Sequence, residues 1–153
     1  MQVRKIAVAA DHGGYALKER VVRRLEALGF EVEDLGTKSA EAVDYPEFAY
    51  QVAKKVASGS CQRGIVVDGI GIASAIVANK VAGIRATPCQ SLSEAKSSRD
   101  HNDANVLTLG GRLLGEGLAL EMVELWLSTP FGGGRHARRV EQIAEIDRRE
   151  GRK

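Results

Sequence analysis

The stretch from Arg63 to Lys80, RGIVVDGIGIASAIVANK, constrains the fold of this chain more than any other. Gly64 to Val67 is an apolar run closed by Asp68, and Gly69 and Gly71 precede a helix-compatible segment that reaches about Val81. The pattern predicts a buried strand, a turn and a helix, with a carboxylate at the strand's carboxyl end beside a row of backbone N–H groups. In an open α/β sheet ligands settle at that edge, where helix N-termini attract anions or the negative oxygen of a reacting substrate.

The same alternation continues along the chain. Lys5 to Ala10 is a β-like run, broken by Asp11-His12-Gly13-Gly14 before a helix in which Leu17, Val21, Leu25 and Leu28 share one face; Gly29 ends it. Phe30 to Leu35 alternates apolar and acidic residues and predicts a strand near the sheet's edge, followed by a polar loop over Gly36 to Val43. Asp44-Tyr-Pro-Glu47 has the form of a helix start, with the helix running to about Ser58. Ile84 to Cys89 predicts a strand, Ser91-Leu-Ser-Glu94 a capping box opening a helix to about Asp100, and Val106 to Leu109 a strand closed by Gly110 and Gly111. Leu114 to Leu127 reads as an amphipathic helix holding the only tryptophan, Trp126, as a core residue. The run from Thr129 to Gly134 breaks it before a basic helix over Arg135 to Arg148. Five strands alternating with helices predict an α/β protein, a three-layer α/β/α sandwich on a parallel sheet, as a single domain over 1–153.

Composition narrows the function. A net charge of +2 over 153 residues gives no polyanion groove, so a local anion site is expected rather than nucleic-acid binding. The two cysteines, Cys61 and Cys89, show neither CxxC nor zinc spacing, so no disulfide framework or metal site is expected. The N-terminal apolar segment is too short for a signal peptide or a span, which predicts a cytoplasmic protein with no membrane contact.

Several residues are candidates for chemistry. The polar clusters Asp11-His12, Asp68 to Gly71 and His101-Asn102 are expected to open on one sheet edge. Asp11 and His12 serve equally well as caps of the first helix. Asp68 closes a strongly apolar strand, where its charge needs a partner. It reads either as a cap for the next helix or as a general base that removes a proton from a carbon beside a carbonyl, with the N–H groups of Gly69 to Ile72 holding the enediolate oxygen. Gly69-Ile-Gly71-Ile-Ala-Ser74 partly mimics GxGxxG, but its third position is Ser, it follows the third strand, and no acid stands at Cys89-Gln90. Arg135 and Arg139, one turn apart, read as a phosphate clamp or as a solvated basic face served by Glu141 and Glu145; Arg112 is a possible third cation.

With these residues in place the chain resembles the ribose-5-phosphate isomerase B and galactose-6-phosphate isomerase family of sugar-phosphate isomerases. Asp11-His12-Gly13-Gly14 fits its DHAG-like turn, Val43 to Pro46 its VDYP, Ala78 to Val81 its ANKV, His101 to Val106 its HNDANV, and Gly133 to Val140 its GGRHARRV. The resemblance implies a Rossmann-like fold, a homodimer or tetramer whose active sites draw on both subunits, and aldose–ketose isomerisation of a phosphorylated sugar through a cis-enediol, without metal or cofactor. It implies His101 as ring-opening acid/base, Asp11 and Asn102 near the sugar hydroxyls, and His12, Arg135 and Arg139, with Arg112, around the phosphate. It also makes the amides of Gly69, Ile70, Gly71 and Ile72 the anion hole.

The departures concentrate in the glycine loop. Ribose-5-phosphate isomerases of this family usually read CGTGIGMS here, with Cys as the base and Thr assisting ring opening; this chain has Asp68 and Ile70. Some members lacking the Cys use a Glu a few residues on, but the matching position is Ser74. Asp68 is then the only carboxylate in the motif and the base expected of an isomerase, and an Asp there looks more like the galactose-6-phosphate isomerase subunits. Three readings stay open: a ribose 5-phosphate isomerase, a galactose- or allose-6-phosphate isomerase, and a phosphosugar-binding subunit without catalysis.

Overall fold

Alternate residues of the first strand, β1 (Lys5–Ala10), serve two separate cores, as the two-residue period of a strand requires. Ile6, Val8 and Ala10 face one side and Ala7 and Ala9 the other, all of them fully buried. In the computed structural model, which describes residues 1–151, β1 lies inside a five-stranded parallel sheet of order β2-β1-β3-β5-β4. The other strands are β2 (Glu31–Asp34), β3 (Arg63–Asp68), β4 (Ala86–Pro88) and β5 (Val106–Gly110). The larger core packs the sheet against α1 (Tyr15–Ala27), α4 (Leu92–Asp100) and α5 (Glu116–Ser128); the smaller packs it against α2 (Tyr45–Ala57) and α3 (Ile72–Ala78). This is the predicted three-layer α/β/α sandwich. Trp126 is fully buried in the larger core, its indole N–H donating to Ser98 Oγ at 3.2 Å.

The smaller core depends on small residues. A Cβ added at Gly64 would come within 2.5 Å of Val52 Cγ1, so only glycine lets α2 lie this close to β3.

Most element ends fall within a residue or two of the sequence reading, and the exceptions have local causes. Helix α3 stops at Ala78 rather than Val81 because Asn79 turns to the sheet, exchanging bonds of 2.9 and 2.8 Å with the carbonyl and N–H of Ala86. Strand β4 holds three residues instead of the six expected over Ile84 to Cys89, ending at Pro88, which has no N–H for the ladder. The Ser91 hydroxyl accepts from the Glu94 N–H at 3.1 Å as expected of a cap, but Glu94 reaches back to the N–H of Gln90, one residue upstream of the usual partner. Asp44 occupies the N-cap position of α2 yet makes no side-chain cap bond.

The last helix, α6 (Arg135–Arg149), buries none of its residues. It is tied to the body by the side chain of Asp147, which accepts from the Gly83 N–H at 2.9 Å, and by a ring contact at its N-terminal end. No helix among the described residues is long and apolar enough to cross a membrane.

Candidate active site

The strand order reverses between β1 and β3, which run side by side while their neighbours diverge to opposite ends of the sheet. That crevice is the usual ligand position in an open parallel sheet. The turns after β1 and β3 meet there closely enough to demand glycine: a Cβ at Gly14 would overlap the carbonyl oxygen of Val67 at 2.0 Å, and Gly71 holds a left-handed φ of 90° against the backbone of Leu109. The turn after β5 joins them, with the Gly111 N–H bonded to the Asp68 carbonyl at 2.7 Å and the Arg112 N–H to that of Gly69 at 3.0 Å. The Arg112 side chain lies over Gly69, its Cδ 3.6 Å from where a Cβ would be.

Two carboxylates stand in this crevice. Asp11 is 9% exposed and accepts from the Gly14 N–H at 3.1 Å, so it closes the turn before α1. Asp68 is 3% exposed and takes three backbone donors: Ile70 and Gly71 on Oδ1, at 2.9 Å for Ile70, and Ser74 on Oδ2 at 2.9 Å. A carboxylate offers about four lone-pair positions, so roughly one remains for another proton. The amides of Ile70 and Gly71 are therefore engaged by Asp68 itself, while those of Gly69 and Ile72 are not. His12 completes the group, its Nδ1 lying 3.2 Å from both N and O of Val43, which holds the imidazole against the loop before α2.

The third expected cluster lies elsewhere. His101 and Asn102 sit in a helix-to-strand turn, between α4 and β5, so they belong to the amino edge of the sheet, opposite Asp11 and Asp68. The expectation that all three polar clusters share one edge holds for two of them. Nearby, the His101 ring stacks on His136 with centroids 4.3 Å apart and planes inclined by 11°. His101 Nδ1 is 3.3 Å from Ser97 Oγ, and Nε2 is 3.7 Å from Asp100 Oδ2. His136 escaped the sequence reading, although it stands beside Arg135 in the GGRHARRV block. Its imidazole is held below the ordinary histidine value, first by desolvation and then by His101, Arg135 and Arg139, with Asp100 opposing. Glu141 pairs with Arg148 at 2.7 Å, and Arg135 and Arg139 make no ion pair among the described residues. Both arginines are exposed on a helix that buries nothing, as the solvated-face reading expects, but neither Glu141 nor Glu145 pairs with them.

Neither thiol can stand in for a cysteine base. Burial and the charge of Glu33 push Cys61 up to about 11, and burial raises Cys89 as well, so both are protonated near neutrality. Among the described residues no group of three or more His, Cys, Asp or Glu side chains is placed to hold a metal ion.

The model of the Ribose/Galactose Isomerase family matches residues 6–143. The chain belongs to that family. Ribose-5-phosphate isomerase B of Escherichia coli is 47% identical over 147 residues, covering 96% of this chain and 99% of the relative. A D-erythrulose-4-phosphate isomerase of Pectobacterium atrosepticum is 39% identical, covering 95% of this chain and 96% of the relative. The solved structure of Clostridium thermocellum ribose-5-phosphate isomerase B superposes with a TM-score of 0.94 at 51% identity, covering 95% of this chain and 99% of the other. This family member is accordingly an enzyme, an aldose–ketose isomerase of sugar phosphates.

Proposed function

We propose that the enzyme interconverts an aldose phosphate and its ketose, of the ribose 5-phosphate and ribulose 5-phosphate type, in sites that each take residues from two copies of the chain. The observation carrying this reading is the division of the constellation within one protomer. Asp11, His12, the Asp68 loop and Arg112 lie at the carboxyl edge, and His101, Asn102, Arg135 and Arg139 belong to the amino edge and α6. A two-fold dimer that sets one edge against the other reunites them. Apolar side chains favour such a contact: Ile72 and Ile76 on α3 are 50% and 58% exposed, and Ile143 and Ile146 on α6 are 42% and 48% exposed. A strongly amphipathic helix with nothing buried is stable chiefly when its stripe packs on something.

In this site His101 opens the sugar ring by moving a proton between the ring oxygen and O1. Asp68 removes the proton from C2, the electron pair becomes the C1–C2 double bond and O1 takes the charge of the cis-enediolate; the O2 hydroxyl proton then passes to O1, O2 becomes the carbonyl, and the carbon proton returns from Asp68 to C1. Three backbone donors fix the carboxylate's orientation, and the free lone-pair position receives the proton. The unengaged amides of Gly69 and Ile72 stabilise the enediolate oxygen, Asn102 and Asp11 hold sugar hydroxyls, and His12, Arg135, Arg139 and Arg112 surround the phosphate.

Asp68→Asn tests the base. Turnover should fall by about 10²- to 10⁴-fold, together with solvent-deuterium exchange into C1 and C2, while binding of the sugar phosphate persists. Unchanged turnover refutes the role, and a melting temperature measured in parallel separates a chemical loss from a collapsed loop. A second reading, a hexose 6-phosphate substrate, is favoured by Ile70, 49% exposed at the position where the resemblance implies a threonine. Ketose formation from ribose 5-phosphate, allose 6-phosphate and galactose 6-phosphate, and aldose formation from erythrulose 4-phosphate, distinguishes the substrates.

A further inference from the structure

At the amino edge a cavity of about 950 Å³ opens among the residues that begin the strands. Its lining joins three guanidinium groups, those of Arg63, Arg85 and Arg99, to apolar surface from Val3, Phe30 and Phe131. Asp103 is the one carboxylate among the lining residues, so the cavity holds a surplus of about two positive charges.

Two of the arginines are paired with a carboxylate. Arg99 Nη1 donates to Asp103 Oδ1 at 2.8 Å and to the Ala104 carbonyl at 2.6 Å, and its Nε to the Thr129 carbonyl at 3.3 Å. Arg85 bonds the carbonyl and the carboxylate of the same Asp103, at 2.9 and 3.3 Å. Helix C-termini gather at this edge, and their free carbonyls are a sufficient reason for Arg99. They do not account for Arg63. Its Nη1 reaches only the carbonyl of its own neighbour Gln62, at 2.8 Å, and its Nε is buried with no partner. A buried donor left unmade is costly, and a guanidinium without a carboxylate more so. Burial, and after it the charge of Arg99, pushes the Arg63 guanidinium down to about 10, with Arg85 acting in the same sense and Asp103 against it.

We propose that this cavity binds a phosphorylated small molecule with an apolar or aromatic body, its phosphate on the Arg63 fork and its body on Phe30 and Phe131. A phosphate monoester carries about −1.5 to −2 charge at neutral pH, which matches the surplus, and its oxygens suit a planar guanidinium. None of the residues lining the cavity belongs to the isomerase constellation.

Adenosine 5′-monophosphate is the probe, with adenosine as the control lacking the phosphate. Calorimetric titration should show one such site per protomer in the wild type and in an Arg135→Ala/Arg139→Ala double variant, with adenosine bound far more weakly. Arg63→Met should weaken it by about tenfold or more, the loss expected of a charge-assisted hydrogen bond. The unliganded Arg63→Met protein should melt no lower than wild type, because the substitution removes a half-buried charge whose buried Nε has no partner while keeping the aliphatic stem. Absence of binding to the wild type, equal affinity in Arg63→Met, loss in the double variant instead, or a lowered melting temperature of Arg63→Met each overturns the proposal.

Discussion

Each edge of the sheet draws in a cation, fully buried at one and half-buried at the other, and they treat it oppositely. At the carboxyl edge Lys18 is fully buried, and its ammonium reaches both oxygens of Asp34, at 2.9 and 3.0 Å, and the Thr37 carbonyl at 2.8 Å. At the amino edge Arg63 has one bond to an adjacent carbonyl and a buried nitrogen with none. An ammonium's three protons against three oxygens make a closed structural unit, which pins the loop after β2 to α1. A guanidinium with five N–H groups and one partner is an open one. The same test separates the carboxylates: Asp11 and Asp68 are oriented by backbone donors, and Asp103 is shared between two arginines. Satisfied charges hold the fold, and the unsatisfied remainder marks where something from outside belongs.

The largest effect expected is one that would join the two edges across a dimer. Asp68→Asn and His101→Asn are each expected to be nearly inactive, since each removes an acid/base group. Unfolded, mixed and refolded together, they should recover about a quarter of wild-type turnover, because half the dimers are mixed and each mixed dimer has one site free of both substitutions. No recovery would mean that both groups act within one chain, and the division of labour between the edges would fail.

A smaller effect sharpens the contrast between the two cations. Asp34→Asn leaves buried Lys18 only the partly exposed Glu19 carboxylate, 3.2 Å away, and should cost about 3 kcal/mol in urea denaturation, whereas Arg63→Met should cost nothing measurable. Burial alone would raise the Asp34 carboxyl, but the Lys18 bond, the Gly36 N–H and the Lys18 charge together hold it below the ordinary value of 3.8. The sign follows: a depressed folded value contributes stability that is complete above the unfolded value and is lost as pH falls through the folded one. Acid denaturation of the wild type below 3.8 should therefore be shallower in Asp34→Asn, which has already lost that contribution.

Much of this was legible in the sequence, for reasons that differ by residue. The parallel sandwich follows from apolar runs bounded by glycine turns, and strand β3 with its closing Asp68 was readable because Gly64 to Val67 has no polar interruption. Which edge each turn occupies was equally available in principle: His101-Asn102 follows a helix and precedes a strand, and chain order alone puts such a turn opposite the strand-to-helix turns. Lys18 was hidden, since in a helix whose polar face is rich in charge nothing marks one lysine as buried; its partner Asp34 is sixteen residues away in a different element. The occupancy of the Ile70 and Gly71 amides by Asp68 was hidden too, because a turn's donors and its nearby carboxylate read the same whether or not they bond.

The smallest effect concerns α4, the helix that spans the two edges, from Ser91 at the carboxyl end of β4 to Arg99 and His101 at the amino edge. Its cap is made: the Ser91 hydroxyl accepts from Glu94, so Ser91→Ala should lower stability by about 1 kcal/mol. Asp44 looks like as good a cap for α2, but its side chain makes no such bond, and Pro46 already fits the first turn. Asp44→Ala should therefore cost only a few tenths of a kcal/mol, well below the usual loss for a bonded cap. Urea denaturation of the pair measures the difference directly. Equal losses would mean that the Asp44 carboxylate acts through the helix dipole rather than through a hydrogen bond, a contribution that should fade with added salt while that of Ser91 does not.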